Sequence, residues 1–330
     1  MIAPHSIRLL YRFLIVSLPV TLMADQALHS TNDFRRIVFL GDSITQAGDY
    51  AVDINCWLLT QGDAGVVLKV GLSSESATDL TADENLDHKA IYGFPRPLLS
   101  HRLKRTLELT KPDLLFVCYG MNDGHAMQNN PAAPERYAAA ITTLRETALS
   151  SGVREVVFLT PPIHDPGPGV TEDDPHDRNL ALFSEWLISK RKDGWKVVDL
   201  HGPMRRALDE ARKKQPGFKF QKDGVHPQRE GHWLMAREVL SQYFGANVAG
   251  ISSSEQFFPA NGAEIRKEVD KAVRALQSAY LLKIGHERPG VPGGPDSKKG
   301  PSIEEAQSIA DTITNKIKGL MGGDHALTNG

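Results

Sequence analysis

Apolar residues along this chain fall into short unbroken runs, separated by segments in which they recur every three or four positions. Ile37 to Leu40 is one such run, ending at Gly41. Unbroken β-formers of this length suit a strand buried on both faces. Val66 to Val70, Leu114 to Tyr119, Val153 to Thr160 and Trp195 to Leu200 repeat the pattern. Between them, Asp49 to Thr60, Leu98 to Leu109, Pro134 to Ser150, Arg178 to Lys192 and Pro203 to Lys214 read as helices. Pro227 to Phe244 reads as another, with proline in its first turn. Strands alternating with helices predict a parallel sheet covered on both faces. Leu72 to Pro97 reads as a long polar loop, and Ile163 to Pro175 as a loop rich in Pro, Gly and Asp. Long structured loops in compact domains are often functional.

The last eighty or so residues break the alternation. Ala263, Ile265, Val269, Ala272, Val273, Leu276, Ala279 and Tyr280 recur at helical spacing, and so do Ile303, Ala306, Ile309, Ala310, Ile313, Ile317 and Leu320. Gly285 to Pro301 joins them as a Pro/Gly-rich linker. These stripes are expected to pack on the α/β part, and the tail Gly322 to Gly330 to be disordered. The chain thus divides into a leader over residues 1–24, an α/β domain over 25–250 and a C-terminal helical extension over 251–330. The leader is expected because Arg8 and Arg12 precede the apolar stretch Phe13 to Met23, which ends at Ala24. A basic start, an apolar run short for a bilayer and a small residue at its end make a secretory signal, which implies a secreted or periplasmic protein.

Composition adds exclusions. A net charge of −2 gives no electrostatic footprint for nucleic acid. Only Cys56 and Cys118 are present, both in apolar segments, so buried free thiols are expected and no Cys/His spacing marks a structural zinc site.

Candidate chemistry gathers where strands end, which in open α/β sheets is where ligands bind. Ser43 follows the first strand in Gly41-Asp42-Ser43, at a strand-to-helix turn. Alone it could be a helix cap, as could Asp42. As a nucleophile it would need a base to take its proton. His226 in Asp223-Gly224-Val225-His226 can serve. Asp223, three residues earlier, can reach one imidazole nitrogen and leave the other free. An acyl-transfer site also needs donors for an oxyanion. The Ser43 backbone N–H, Gly71 at the end of the second strand and the Asn122 amide at the end of the third could supply them. Taken singly, Gly71 is as well explained by a turn and Asn122 by an Asx-turn.

Gly41-Asp42-Ser43, Gly71, Gly120-Met121-Asn122-Asp123 and Asp223-Gly224-Val225-His226 occur in the order and rough spacing of the SGNH (GDSL) hydrolases, which this chain resembles from about Arg35 to Phe244. The resemblance implies a flavodoxin-like three-layer α/β/α fold with a five-stranded parallel sheet. It implies Ser43 as nucleophile, His226 as base, Asp223 as the residue orienting it, and Ser43, Gly71 and Asn122 around an oxyanion hole. It implies ester hydrolysis through an acyl-serine, with no metal and no organic cofactor. No Gly-x-Ser-x-Gly elbow surrounds Ser43.

Gly71-Leu72-Ser73-Ser74-Glu75, Gly93-Phe94-Pro95-Arg96-Pro97, Cys118 to Gly124 and Thr160-Pro161-Pro162 are similar to segments of secreted bacterial members found beside polysaccharide-degrading enzymes. That likeness favours a carbohydrate ester, an acetyl group on a glycan, over a lipid; the expected partner is a small-molecule or glycan ester substrate. Asp42, Glu75, Arg96 and Asp123 are the expected substrate contacts, with His125, His164 and Asp165 in loops on the same edge. His164-Asp165 with His176-Asp177 would be the pairs to hold a metal, against the expectation of none. Two alternatives stand beside the carbohydrate esterase: a lipase or thioesterase of the same superfamily, and a glycan-binding module with an idle site. No membrane contact is expected after the leader is removed.

Overall fold

The computed structural model describes residues 34–62, 65–168 and 174–322. The expected leader lies outside them, and so does the expected disordered tail except for Gly322, which ends a helix. The five apolar runs form parallel strands: β1 (Arg36–Gly41), β2 (Val66–Lys69), β3 (Leu114–Cys118), β4 (Glu155–Leu159) and β5 (Lys196–Val198), in the order β2-β1-β3-β4-β5. Ile37, Val38, Phe39 and Leu40 are fully buried, as an unbroken apolar run at the sheet centre requires. The Phe39 and Phe116 rings stack across β1 and β3 at 4.8 Å.

The strand order reverses direction beside β1. The chain runs outward from β1 to β2, then crosses back to β3 and on to β4 and β5. A crevice opens at such a reversal, at the carboxyl ends of the two strands that flank it. Gly41 of β1 lies level with Cys118 of β3, so Ser43 and Asn122 leave the sheet side by side at that edge.

The sheet is covered on both faces. Helices α1 (Ser43–Ala47) and α2 (Asp49–Thr60) follow β1. A short helix α3 (Leu86–Tyr92) interrupts the segment expected as loop, and α4 (Leu103–Thr110) precedes β3. Next come α5 (Met121–Ala126), α6 (Ala133–Ser150), α7 (Pro175–Ser189), α8 (His201–Lys214) and α9 (Arg229–Gln242). α2 packs on α9 on one side, and α4, α6 and α7 pack together on the other. α9 corrects the expected start at Pro227. Pro227 is held in a bridge to Gln221, and the Gln228 N–H goes to Phe220 O at 2.8 Å, so the helix begins at Arg229.

The two C-terminal stripes form α10 (Gly262–Ile284) and α11 (Ile303–Gly322). α10 lies along the outer edge of β2, touching α2 on one face of the sheet and α4 on the other. Leu276, Ala279, Tyr280, Leu281 and Ile284 join the main core, while Ile265, Val269 and Val273 form a second cluster with Ile317 of α11. An unpaired strand edge is a template for aggregation unless covered, and α10 covers this one. Cys56 and Cys118 are free and buried.

Candidate active site

Ser43 is placed by the turn that closes β1. Gly41 is required there, because a Cβ on it would lie 2.5 Å from the Cys118 carbonyl and 2.2 Å from Thr45 Oγ1. The Asp42 carboxylate accepts the Ile44 N–H at 2.9 Å and caps α1, as its position before the helix suggested. α1 stops after five residues at Gly48, in left-handed conformation with φ 58°, whose N–H donates to Ile44 O. Gly71 packs on this same turn: a Cβ there would sit 2.3 Å from Gln46 N and 2.7 Å from Asp42 O. Among the described residues, neither the Ser43 nor the Gly71 backbone N–H has an acceptor.

His226 Nε2 lies 2.8 Å from Ser43 Oγ, and His226 Nδ1 lies 2.6 Å from Asp223 Oδ2. The protonation pattern follows from the partners. Asp223 is an acceptor, so it takes the Nδ1–H; the Nε2 lone pair then accepts the Ser43 hydroxyl. Asp223 Oδ1 also accepts the Val225 and His226 N–H groups at 3.0 and 2.8 Å. Partial burial works against its charge, but the His226 bonds and the Val225 N–H outweigh it and hold the carboxyl at about 2. Asp223 therefore stays an anion at neutral pH. The side chains of His226 and Asp223 are 49% and 56% exposed, so this relay lies in the open and not at the bottom of a cleft.

Asn122 stands in the first turn of α5, which begins after Gly120 at φ 132°, ψ −27°. The left-handed φ there favours glycine. Asn122 Nδ2 donates to Glu75 O at 2.9 Å, and its Oδ1 accepts Arg96 Nη1 at 2.6 Å. One amide hydrogen remains for a ligand.

Three expected substrate contacts are corrected. Glu75 is fully buried, and both its oxygens are held: Arg102 Nε and Nη2 donate at 2.6 Å each, and Tyr119 OH donates as well. Asp123 is also fully buried, with Oδ1 accepting Ser76 Oγ at 2.8 Å and the Thr78 N–H at 2.7 Å. Asp42 is buried under the Ser43 turn, and burial pushes its carboxyl up to about 7, only partly opposed by the Ile44 N–H. None of the three can reach a substrate. Glu75 and Asp123 instead clamp the segment after β2 onto the end of β3, which fixes the Glu75 carbonyl that Asn122 uses. Nothing in the sequence pointed to this clamp, because Arg102 and Tyr119 lie 27 and 44 residues from Glu75.

Arg96 is nearly buried and borders a polar cavity of about 330 Å³, lined also by Asp87, His88, His125 and Asn130. The pairs considered for a metal are committed elsewhere. His164 Nδ1 meets Asp174 Oδ2 at 2.5 Å, His176 Nε2 donates to Met121 O at 2.8 Å, and Asp165 accepts Arg212 Nη2 at 2.7 Å. Asp177 accepts the His164 N–H at 2.7 Å. Burial holds the His176 imidazole neutral, down to about 3. Among the described residues no cluster suits a metal ion.

Residues 39–234 match the family model described as the GDSL-like lipase/acylhydrolase family, more than half of the chain. No curated protein matches. Solved structures are similar to this chain at low identity. A catalytic mutant of Axe2, an acetylxylan esterase from Geobacillus stearothermophilus, is 18% identical over 63% of this chain and 94% of its own, with a TM-score of 0.48. An alpha/beta hydrolase from the metagenome of Lake Arreo, Spain, is 20% identical over 63% and 94%, with a TM-score of 0.49. A gut microbial diltiazem-metabolizing enzyme is 21% identical, with a TM-score of 0.47; the match takes in 64% of this chain and about half, 47%, of that one.

Proposed function

This chain belongs to the GDSL-like lipase/acylhydrolase family and is accordingly an ester hydrolase; from that premise we propose that it works through an acyl-serine on Ser43 and removes acetyl groups from a carbohydrate. The observation that carries the mechanism is the unbroken relay from Ser43 Oγ to His226 at 2.8 Å and on to Asp223 at 2.6 Å. His226 Nε2 takes the Ser43 proton as Oγ attacks the ester carbonyl. The Ser43 and Gly71 N–H groups and the free Asn122 N–H receive the oxyanion. The imidazolium, stabilised by Asp223, gives its proton to the departing alcohol. Water, deprotonated by the same imidazole, then releases the acid and restores Ser43.

The substrate class rests on the surroundings. The cavity that Arg96 borders is polar, and the relay is open enough for a bulky chain to lie across it. A larger apolar cavity of about 510 Å³, lined by Leu59, Val66, Val269, Leu276 and Met321, opens at the start of β2, the opposite end of the strands from Ser43. It is out of reach for an acyl chain held at Ser43. Export rests on the leader, which N-terminal sequencing of the mature protein tests. Among the described residues no helix is long and apolar enough to cross a membrane.

Acetate release from a panel of acetylated polysaccharides, with fluorophosphonate labelling, tests the proposal. The wild type is expected to release acetate and to label at Ser43. Ser43→Ala is expected to lose both, a loss of at least about 10⁴-fold in turnover, with an unchanged melting curve. A folded wild type that neither labels nor turns over esters refutes the enzyme reading and leaves a binding module.

A further inference from the structure

Asn122 can donate to an oxyanion only if its amide is the right way round. Rotated by half a turn, it would present an oxygen to the developing negative charge. The two amide ends look almost alike sterically, so their partners decide. Glu75 O, on one side, accepts from either amide hydrogen but repels an oxygen. Arg96 Nη1, on the other, can only donate. Arginine carries its charge at every working pH, so this preference does not switch off.

We propose that Arg96 is a positioning residue, whose guanidinium holds the Asn122 carboxamide with its oxygen turned away and its nitrogen towards the reacting ester. The proposal rests on the acyl-serine reading above and adds a residue to it. Arg96 is itself fixed from two directions. Its own N–H donates to Asn85 Oδ1 at 2.9 Å. Two residues back, the Phe94 ring lies under the Arg288 guanidinium at 4.3 Å, so the C-terminal linker braces the strap that carries Arg96. Among the described residues the one side-chain hydrogen bond of Arg96 goes to the amide of this neighbouring site residue, at 2.6 Å.

The test is a double-mutant cycle on a small ester, p-nitrophenyl acetate, with a glycan ester in parallel. Arg96→Met keeps length and removes every donor. We expect kcat to fall about tenfold or more, with KM within about twofold on the small ester. In the Asn122→Ala background the same change is expected to cost nothing further, because residues that act as one unit are not additive. Arg96→Lys, which keeps the charge and one donor, is expected to recover much of the loss. If Arg96→Met does not fold, Arg96→Lys serves in its place, and its smaller loss must likewise vanish without Asn122. A wild-type kcat in Arg96→Met, a change confined to KM, or losses that multiply in the double variant overturns the proposal while leaving the acyl-serine reading intact. A wild type with no esterase activity overturns both.

Discussion

Asp42 sits under Ser43 with its carboxyl pushed up to about 7 by burial, from an ordinary 3.8. The folded chain therefore holds a proton there that the unfolded chain gives up. Stability from this group is present at low pH and is lost as pH rises from about 4 to about 7. Asp42→Asn keeps an acceptor for the Ile44 N–H and cannot ionise. Its stability relative to wild type is expected to rise between pH 5 and pH 8, by on the order of 2 kcal/mol. Urea unfolding at the two pH values checks this, and equal differences at both would refute it. The same residue shows what sequence pattern can and cannot reveal. Asp42 before a helix invites two readings, cap and contact, and only its burial under the turn decides between them. Ser43, His226 and Asp223 were picked out because their stretches stand in the order of a known family and not because any one of them was distinctive alone; the fold brings the three within hydrogen-bond distance of one another. Glu75 was misread because charged residues in a polar stretch look solvent-facing until a distant Arg102 folds against them.

The C-terminal helices are joined to the α/β part by charge as well as by apolar contact. Asp53 of α2 is fully buried and accepts Arg229 Nη1 of α9 at 2.5 Å, Arg266 Nε of α10 at 2.8 Å and Ser254 Oγ at 2.5 Å. Removing one partner of a buried ion leaves a poorly solvated charge. Since Asp53 keeps Arg229 and Ser254, Arg266→Ala is expected to cost about 2–3 kcal/mol, near the value of a hydrogen bond to a charged group. A melting curve matching wild type would show that the network is dispensable. At this scale, strands and long helices followed from apolar spacing, because each has one dominant burial direction. α3 was missed for the converse reason: Leu86, Ile91 and Tyr92 stay exposed, so no buried stripe marks it. The start of α9 was displaced because a tertiary bridge at Pro227 overrode a favourable local signal.

Taken whole, the molecule sets a shallow polar site at one end of its sheet and its larger apolar cavity at the other. A series of p-nitrophenyl esters is expected to show kcat/KM highest for acetate and falling as the acyl chain lengthens, at least about tenfold by octanoate, since each added methylene gains no apolar contact near Ser43. A rise towards octanoate would return the choice to a lipase. Closure of the sheet has a consequence for how the chain is made. The β5 edge is stopped by Arg191, which donates from Nε and Nη2 to Val197 O, only a few residues away in sequence. The β2 edge must wait for α10, which ends at Ile284, long after β5 is complete. During synthesis at the ribosome every strand emerges before the helix that shields β2. For that interval the nascent protein carries a sticky flank, and chaperones or a fast-docking α10 must bridge the delay.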